Sequence, residues 1–296
     1  MADAQSLFDS AAAKVRGDGG GRDLAGAREL FRRAGGQGHV ASAVIYANFL
    51  AAGVGGPRQW TTALRLLAAL AKANPRSRRE LERIEAMALT PDGDPLAPPE
   101  GEALCGSPAI TRFPGLFSPA ECAFLAEAAA PMLAPAVVVD PATGRQRPDP
   151  VRVCDSAGFT WPLENPAVHA LNRRLAAASG TAAEQGEPLQ VLRYRPGGEY
   201  KPHFDAIPGF ANPRTTTFLV WLNEDFEGGE TLFPTPGLKI RGRTGDGLLF
   251  RNTGADGRRD AAAGHAGLPV TRGDKLIASR WIRERPFEMP LGEDAG

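Results

Sequence analysis

The first 90 residues carry apolar side chains at the spacing of one helix face. Positions i, i+3, i+4 and i+7 are apolar across residues 27–34, and the pattern returns 36 positions later across residues 63–70. A second helical pattern, residues 40–52, lies between them and ends at Gly53. A helix-turn-helix unit of about this period predicts a short α-solenoid, and an ordinary helical extension of the main domain is the alternative.

The periodic pattern stops at residues 91–108, which read PDGDPLAPPEGEALCGSP. This segment is dense in proline and glycine, a composition typical of a semi-rigid connector. The sequence therefore predicts an all-α N-terminal domain over residues 1–90, a linker over residues 91–108 and a second domain over residues 109–296.

The second domain mixes helix signals with many short β runs. Ser118 and Glu121 form a predicted capping box that opens one helix, and Asn165 opens another that ends near Gly180. From residue 189 onward, turns rich in glycine separate five apolar runs: LQVLRYR, TTTFLVWLN, LKIRG, GLLFRN and KLIASRWI. Short strands with glycine-rich turns and flanking helices predict an α+β domain built on a β-sandwich or jelly roll.

Charge and cysteine usage narrow the class of protein. The 296-residue chain has 34 basic and 34 acidic residues, so its formal net charge is zero, which disfavours a nucleic-acid partner. Its 3 cysteines are an odd number without CxxC spacing, which favours a reducing compartment over a disulfide framework. The sequence shows neither a signal-peptide pattern nor 18 consecutive apolar residues, and we therefore expect a cytoplasmic protein without a membrane partner.

Two of the 4 histidines stand where a metal site is expected. His203 and Asp205 are two positions apart, so in a strand both side chains point to the same face. His265 follows sixty residues later, immediately before another β run. Two histidines and one carboxylate on a β scaffold form the facial triad of non-haem Fe(II) oxygenases, although zinc hydrolases use similar ligands. We expect the other two, His39 and His169, to have structural roles.

Lys275 distinguishes an Fe(II) oxygenase from a zinc hydrolase. It begins the apolar run KLIASRWI, ten residues after His265. Iron enzymes that use 2-oxoglutarate need a cation to hold the distal carboxylate of this cosubstrate, and a lysine in a dry pocket provides one. The rival cation, Arg272, sits in a polar turn and is expected to face water.

Between residues 111 and 286, an ordered series of motifs resembles the prolyl 4-hydroxylase-like branch of the Fe(II)/2-oxoglutarate dioxygenases. The motifs are VLRYRPGGEYKPHFD, RTTTFLVWLN, FEGGETLFP and GDGLLF, followed by His265 and Lys275. The resemblance implies a double-stranded β-helix (jelly-roll) catalytic domain with supporting helices. The N-terminal region lies outside this match and resembles Sel1-like repeats.

The resemblance also implies a role for individual residues. His203, Asp205 and His265 are expected to bind Fe(II), while Tyr194 and Thr231 join Lys275 in holding 2-oxoglutarate. Four further positions match the peptide-substrate groove of the family: Arg152, Tyr200, Arg214 and Trp281. The implied activity is 2-oxoglutarate- and O2-dependent hydroxylation of prolyl residues in a peptide or protein, with release of succinate and CO2. Ascorbate is expected as a further cofactor.

Several alternatives remain open at this point. Arg152 and Arg214 equally suit the carboxylate of a small, amino-acid-like substrate. A nucleic-acid demethylase is disfavoured by 7% aromatic residues and the zero net charge. A zinc hydrolase needs a general base, for which Glu199 is the nearest candidate. The last alternative is an interaction protein, in which the N-terminal helices recruit a partner and the β domain is a retired dioxygenase.

Overall fold

The computed structural model describes residues 3–139, 146–207 and 209–289, and these form two compact units. The first unit contains residues 3–98, Phe159–Arg174 and the pair Glu288 and Met289. The second contains Pro99–Gly158 and Leu175–Phe287, except for the residues outside the described ranges. The long helix Pro166–Ser179 contributes residues to both units, a division that the sequence pattern did not predict.

The first unit is built mainly from five helices that pack in chain order: α1 Ala4–Arg16, α2 Leu24–Gly36, α3 Val40–Ala52, α4 Trp60–Ala71 and α5 Pro75–Glu85. Side chains of Asp3, Asp23 and Asn74 accept hydrogen bonds from backbone amides and fix three of the helix starts. The predicted apolar faces are buried or partly buried, and the core of this unit contains Phe31 and Phe49. The helical prediction for this region is confirmed, and its likeness to Sel1-like repeats stays a prediction.

Two further helices follow later in the chain, α6 Pro119–Ala129 and α7 Pro166–Ser179. Both hydrogen bonds of the predicted Ser118–Glu121 capping box are present at the start of α6. Among the described residues, no helix combines the length and hydrophobicity needed to cross a membrane.

The strands of the described residues lie in the second unit, except that Phe159, the last residue of one strand, is assigned to the first unit. They are β1 Glu102–Gly106, β2 Ala109–Phe113, β3 Ala134–Pro135, β4 Val137–Val139, β5 Gln146–Pro148, β6 Asp155–Phe159, β7 Leu189–Tyr194, β8 Tyr200–His203, β9 Arg214–Trp221, β10 Glu227–Gly228, β11 Thr231–Phe233, β12 Leu238–Ile240, β13 Gly247–Arg251, β14 His265–Gly267, β15 Val270–Arg272 and β16 Lys275–Arg283. The predicted β runs correspond to β7, β9, β12, β13 and β16. β1 lies in the segment predicted as a linker, and the domain boundary there stays a prediction.

The two largest sheets of this unit are antiparallel. The larger has the order β1-β2-β13-β9-β16-β7-β6-β3, and the smaller has the order β12-β11-β14-β8. Aromatic and aliphatic side chains from both sheets share one core, in which Phe233 of the small sheet meets Phe250 of the large sheet edge to face. The predicted α+β class with a jelly-roll domain and a helical N-terminal region is confirmed. Non-consecutive strands lie side by side, and this topology brings distant segments of the sequence to one site.

Candidate active site

The register between β8 and β14 places two histidines opposite each other. His203 and His265 are paired positions of these antiparallel strands, and their ring centroids are 4.2 Å apart. Directly opposed residues of an antiparallel pair project to the same face of a sheet. His203 and His265 are therefore close in space although they are 62 positions apart in the sequence.

Asp205 completes the cluster from the loop that follows β8. Its buried carboxylate presents Oδ1 at 3.6 Å from Nε2 of His203 and Oδ2 at 3.6 Å from Nε2 of His265. One potential ligand atom from each residue lies within 4.8 Å of the others. The structure thus brings together the three residues that the sequence predicted as metal ligands.

Hydrogen bonds orient both imidazoles toward the centre of this cluster. Nδ1 of His203 donates to the Lys201 carbonyl at 2.7 Å, and Nδ1 of His265 donates to the Ala263 carbonyl at 3.1 Å. A neutral imidazole protonated at Nδ1 keeps a lone pair at Nε2, which is the usual arrangement of metal-binding histidines. Nε2 of His203 is buried without a hydrogen-bond partner among the described residues, as expected of an atom that binds a metal.

The charge states also suit a divalent cation. Burial lowers the pKa of His265 below its ordinary value, and this effect outweighs the opposing influence of Asp205. Burial by itself would raise the pKa of Asp205, but the two imidazoles and the Thr217 hydroxyl outweigh it and lower that pKa well below its usual range. A neutral imidazole and an ionised carboxylate are the forms that bind metals, so these shifts of His265 and Asp205 fit Fe(II).

A buried cation lies in the same cavity as the three ligands. Lys275 is the first residue of β16, is 3% exposed, and lines this cavity together with His203, Asp205 and His265. Its ammonium donates to the Gly229 carbonyl at 2.6 Å, and no described carboxylate lies within ion-pair distance of it. Burial lowers the pKa of Lys275 to about 8. Arg272, the rival cation, is 78% exposed and pairs with Glu227, as predicted.

Tyr194 and Thr231 line the same cavity and are both buried. Tyr194 of β7 lies directly opposite Lys275 of β16, and the Lys275 ammonium is 5.3 Å from the centre of its ring. The Tyr194 hydroxyl is also a hydrogen-bonding neighbour of the Cys154 thiol. All three residues predicted to hold 2-oxoglutarate therefore face one cavity.

The four predicted groove residues form two pairs near the metal ligands. Tyr200 stacks on the His203 ring with a centroid distance of 3.5 Å, and the Arg152 guanidinium lies 5.8 Å from the Tyr200 ring. The Arg214 guanidinium lies 3.8 Å from the centre of the Trp281 ring. Tyr200 and Trp281 line the cavity, whereas the two arginines are not among its lining residues in the described chain.

The sequence did not single out Glu187, although this residue binds two arginines. Its carboxylate makes a bidentate contact with Arg214, at 2.6 and 2.9 Å, and accepts a further hydrogen bond from Arg283 at 2.8 Å. The sequence also gave no indication of the hydrogen bond from Thr217 to Asp205. Both contacts join residues far apart in the chain, so no local motif could have indicated them.

The two other histidines have the structural roles that the sequence predicted for them, and Glu199 lies apart from the cavity lining. His39 caps α3 and is hydrogen-bonded to Ser42. His169 is buried, with its Nδ1 at 2.8 Å from the Glu164 carboxylate. Glu199, the base that a zinc hydrolase would need, is not among the described residues that line the cavity.

Comparisons with known proteins agree with this geometry. The family described as "2OG-Fe(II) oxygenase superfamily" matches residues 189–283. Prolyl 4-hydroxylase 1 of Arabidopsis thaliana is 35% identical over 204 residues, covering 62% of this chain and 72% of that protein. Prolyl 4-hydroxylase subunit alpha-1 of Rattus norvegicus is 34% identical over 204 residues, covering 66% of this chain but 38% of the subunit.

Among solved structures, a viral collagen prolyl hydroxylase from Paramecium Bursaria Chlorella virus-1, in its 2OG complex, is 27% identical with a TM-score of 0.48. The match covers 61% of this chain and 98% of that one. The plant relative exceeds 30% identity over more than two thirds of its own length, which is enough to assign the family. The chain therefore belongs to the prolyl 4-hydroxylase-like branch of the 2OG-Fe(II) oxygenase superfamily, as its ordered motifs predicted.

Proposed function

We propose that this protein hydroxylates prolyl residues of a peptide or protein, with Fe(II) bound by His203, Asp205 and His265 and with 2-oxoglutarate bound beside it. One observation carries the proposal: the three ligand atoms and the buried Lys275 ammonium, which has no carboxylate partner in the described chain, face the same cavity. A buried charge without a counter-ion is costly unless a ligand supplies one. A small dianion that binds both a metal and an ammonium suits this site.

The bound metal, 2-oxoglutarate and O2 together supply the oxidation that adds one oxygen atom to a substrate C–H bond and releases succinate and CO2. The protein itself contributes positioning and exclusion of water. The two Nδ1 hydrogen bonds fix the rings of His203 and His265, and the buried walls of the cavity limit access of solvent to Asp205.

Lys275 is proposed to keep its hydrogen bond to the Gly229 carbonyl and to donate a second one to the distal carboxylate of 2-oxoglutarate, since an ammonium has three donors. Thr231 and Tyr194 face the same space and can donate their hydroxyl protons to that carboxylate. All three hydrogen bonds end on an ionised carboxylate, but only the ammonium adds the attraction of an opposite charge, so it is expected to dominate the affinity.

The surroundings of Arg214 favour a peptidyl substrate over a small carboxylic acid. A free carboxylate would need an available cation, but Arg214 already binds Glu187 in a bidentate contact, and its guanidinium lies 3.8 Å from the centre of the Trp281 ring. By contrast, Tyr200 and Trp281 present aromatic surfaces to the cavity. Proline-rich segments dock in aromatic-lined grooves, so these two residues suit a neutral prolyl side chain.

The least favoured alternative is a dioxygenase domain that has lost its catalytic activity and serves only in protein interactions. Loss of activity usually removes a metal ligand or the cosubstrate cation. Here the two histidines, the carboxylate and the lysine are all present, and their orienting hydrogen bonds are also in place.

The direct test uses purified protein with Fe(II), 2-oxoglutarate, O2 and ascorbate, which the family resemblance suggests as a reductant. We expect a proline-containing peptide to stimulate succinate release and to gain one oxygen atom on proline, as measured by mass spectrometry. The matched control peptide carries alanine at each proline. Stimulation by free proline or other amino acids, but not by the peptide, would support the small-molecule alternative. Equal stimulation by both peptides would contradict prolyl specificity.

Two wider features complete the proposal. The helices of the first unit are proposed to bind a protein partner, which a pull-down with residues 1–90 deleted from the full chain would test. We also propose a reducing, cytoplasmic compartment, because the three cysteines are free thiols in the structure.

A further inference from the structure

A chain of three buried side chains leads from the large sheet to the proposed metal site. Thr217 of β9 donates its hydroxyl proton to Oδ2 of Asp205 at 2.6 Å. Asn252, the residue that follows β13, donates from its amide nitrogen to the Thr217 hydroxyl oxygen at 2.9 Å. Asn252 and Thr217 are each 1% exposed and Asp205 is 4% exposed, so solvent does not compete for these hydrogen bonds.

The donor and acceptor atoms of these three side chains fix the direction of the two hydrogen bonds. An amide nitrogen only donates, so the Thr217 oxygen accepts from Asn252 and its single proton is left for Asp205. The opposite orientation of the Asn252 amide would set two acceptors, Asn252 Oδ1 and Asp205 Oδ2, against that one proton. In the observed orientation, Oδ1 of Asn252 is buried without a hydrogen-bond partner among the described residues.

Backbone hydrogen bonds and strand pairing hold Asn252 and Thr217 in place. The backbone N–H of Asn252 donates to the Thr215 carbonyl at 2.8 Å, and the backbone carbonyl of Asn252 accepts from the backbone N–H of Asp260 at 2.9 Å. Thr217 is paired with Phe250 across β9 and β13. Asp205, by contrast, lies in a loop after the end of β8, where no strand pairing fixes its side chain.

We infer that Thr217 and Asn252 are positioning residues that orient the Asp205 carboxylate, so that the metal is offered Oδ1 while Oδ2 stays hydrogen-bonded. This inference rests on the proposed function and deepens it. A carboxylate held at one oxygen binds a metal through the other, which leaves more coordination positions for the cosubstrate and O2. Hydrogen-bonding partners of metal ligands typically change metal affinity by about 10- to 100-fold when they are removed.

The test measures metal binding to the metal-free full-length protein rather than turnover. Mn(II) affinity is measured by electron paramagnetic resonance for the wild type, Thr217→Val, Thr217→Ser and Asn252→Asp. Thr216→Val is the matched control, because Thr216 is a buried neighbour on the same strand that does not line the cavity. Co(II) absorbance then reports the coordination geometry in each protein that binds metal.

We expect Thr217→Val to weaken Mn(II) binding by about 10- to 100-fold, and Thr217→Ser to restore most of the affinity because it keeps the hydroxyl. Asn252→Asp is nearly isosteric but presents only acceptors to Thr217, so it should weaken binding as Thr217→Val does. The Co(II) spectrum of Thr217→Val should differ from that of the wild type, whereas Thr216→Val should match the wild type in both measurements.

The possible failures can be told apart. If the wild type binds Mn(II) tightly and Thr217→Val binds it equally well with an unchanged Co(II) spectrum, the positioning role is wrong while the metal site stands. If the folded wild type binds no metal, the proposed function itself is wrong. If Thr217→Ser is as weak as Thr217→Val, the hydroxyl is not the determining group and the inference is overturned.

Discussion

The Lys275 ammonium donates to the backbone carbonyl of Gly229 at 2.6 Å, inside the cavity that also contains the proposed iron ligands. A backbone carbonyl satisfies a hydrogen bond of the ammonium but does not neutralise its charge. The contact therefore holds the side chain in place while leaving its charge for an anionic ligand. Two predictions concern this pair of residues.

Affinity for 2-oxoglutarate should depend on the protonation of Lys275. Because burial lowers the pKa of Lys275 to about 8, the ammonium is present below that pH and is lost above it. We expect the dissociation constant of 2-oxoglutarate to rise about tenfold per pH unit above pH 8, as measured by isothermal titration calorimetry with Mn(II) present. In Lys275→Arg this dependence should disappear, since a guanidinium stays protonated. A wild-type affinity that is constant from pH 7 to 10 would contradict the prediction.

Gly229 should be required for the position of Lys275. Its φ is +66°, and an added Cβ would lie 3.1 Å from Cδ of Lys275 and 3.0 Å from Cγ2 of Val270. We expect Gly229→Ala to lose about 1–2 kcal/mol of stability through backbone strain and also to weaken 2-oxoglutarate binding. Gly237→Ala is the matched control, because Gly237 has a φ of +68° but nothing within 4 Å of its added Cβ. Gly237→Ala should lose stability but keep its affinity for 2-oxoglutarate. If both variants lose the same ligand affinity, a specific effect on Lys275 is ruled out.

Removing the carboxylate ligand should abolish metal binding. Asp205→Ala leaves only two imidazoles at the site, so we expect Mn(II) affinity to fall by at least about 100-fold and turnover to be lost. Asp256→Ala, which changes an exposed acidic residue, is the control and should behave as the wild type. Retention of full activity in Asp205→Ala would show that the triad is not the catalytic metal site.

Glu80 should make the stability of the protein depend on pH. Burial raises the pKa of this carboxyl from 4.5 to about 8, although the Ala167 amide opposes the shift. The folded state therefore keeps a proton that the unfolded state loses, so the contribution to stability is complete below pH 4.5 and is lost as the pH rises to about 8.

Glu80→Gln should remove this dependence because its amide does not ionise. The stability difference between variant and wild type should grow with a slope of up to about 1.4 kcal/mol per pH unit in that window and then level off. Urea denaturation at several pH values measures it. Glu82→Gln, an exposed position on the same helix, is the control. Parallel stability curves for Glu80→Gln and the wild type would disprove the protonated state of Glu80.

The sequence by itself determined the local parts of this protein. Helical spacing predicted α2, α3 and α4 of the first unit, and the capping box at Ser118 predicted the start of α6. The i, i+2 spacing of His203 and Asp205 indicated one shared face before any strand pairing was known. These features depend on residues a few positions apart, and local backbone geometry is sufficient to relate them.

Only the tertiary structure decided which distant segments meet. The pairing of β14 with β8 sets His265 opposite His203, and the pairing of β16 with β7 sets Lys275 opposite Tyr194. The hydrogen bond from Thr217 to Asp205 likewise joins β9 of the large sheet to the loop after β8 of the small sheet. Strand register and sheet packing depend on the whole hydrophobic core, so no local pattern in the sequence specifies them.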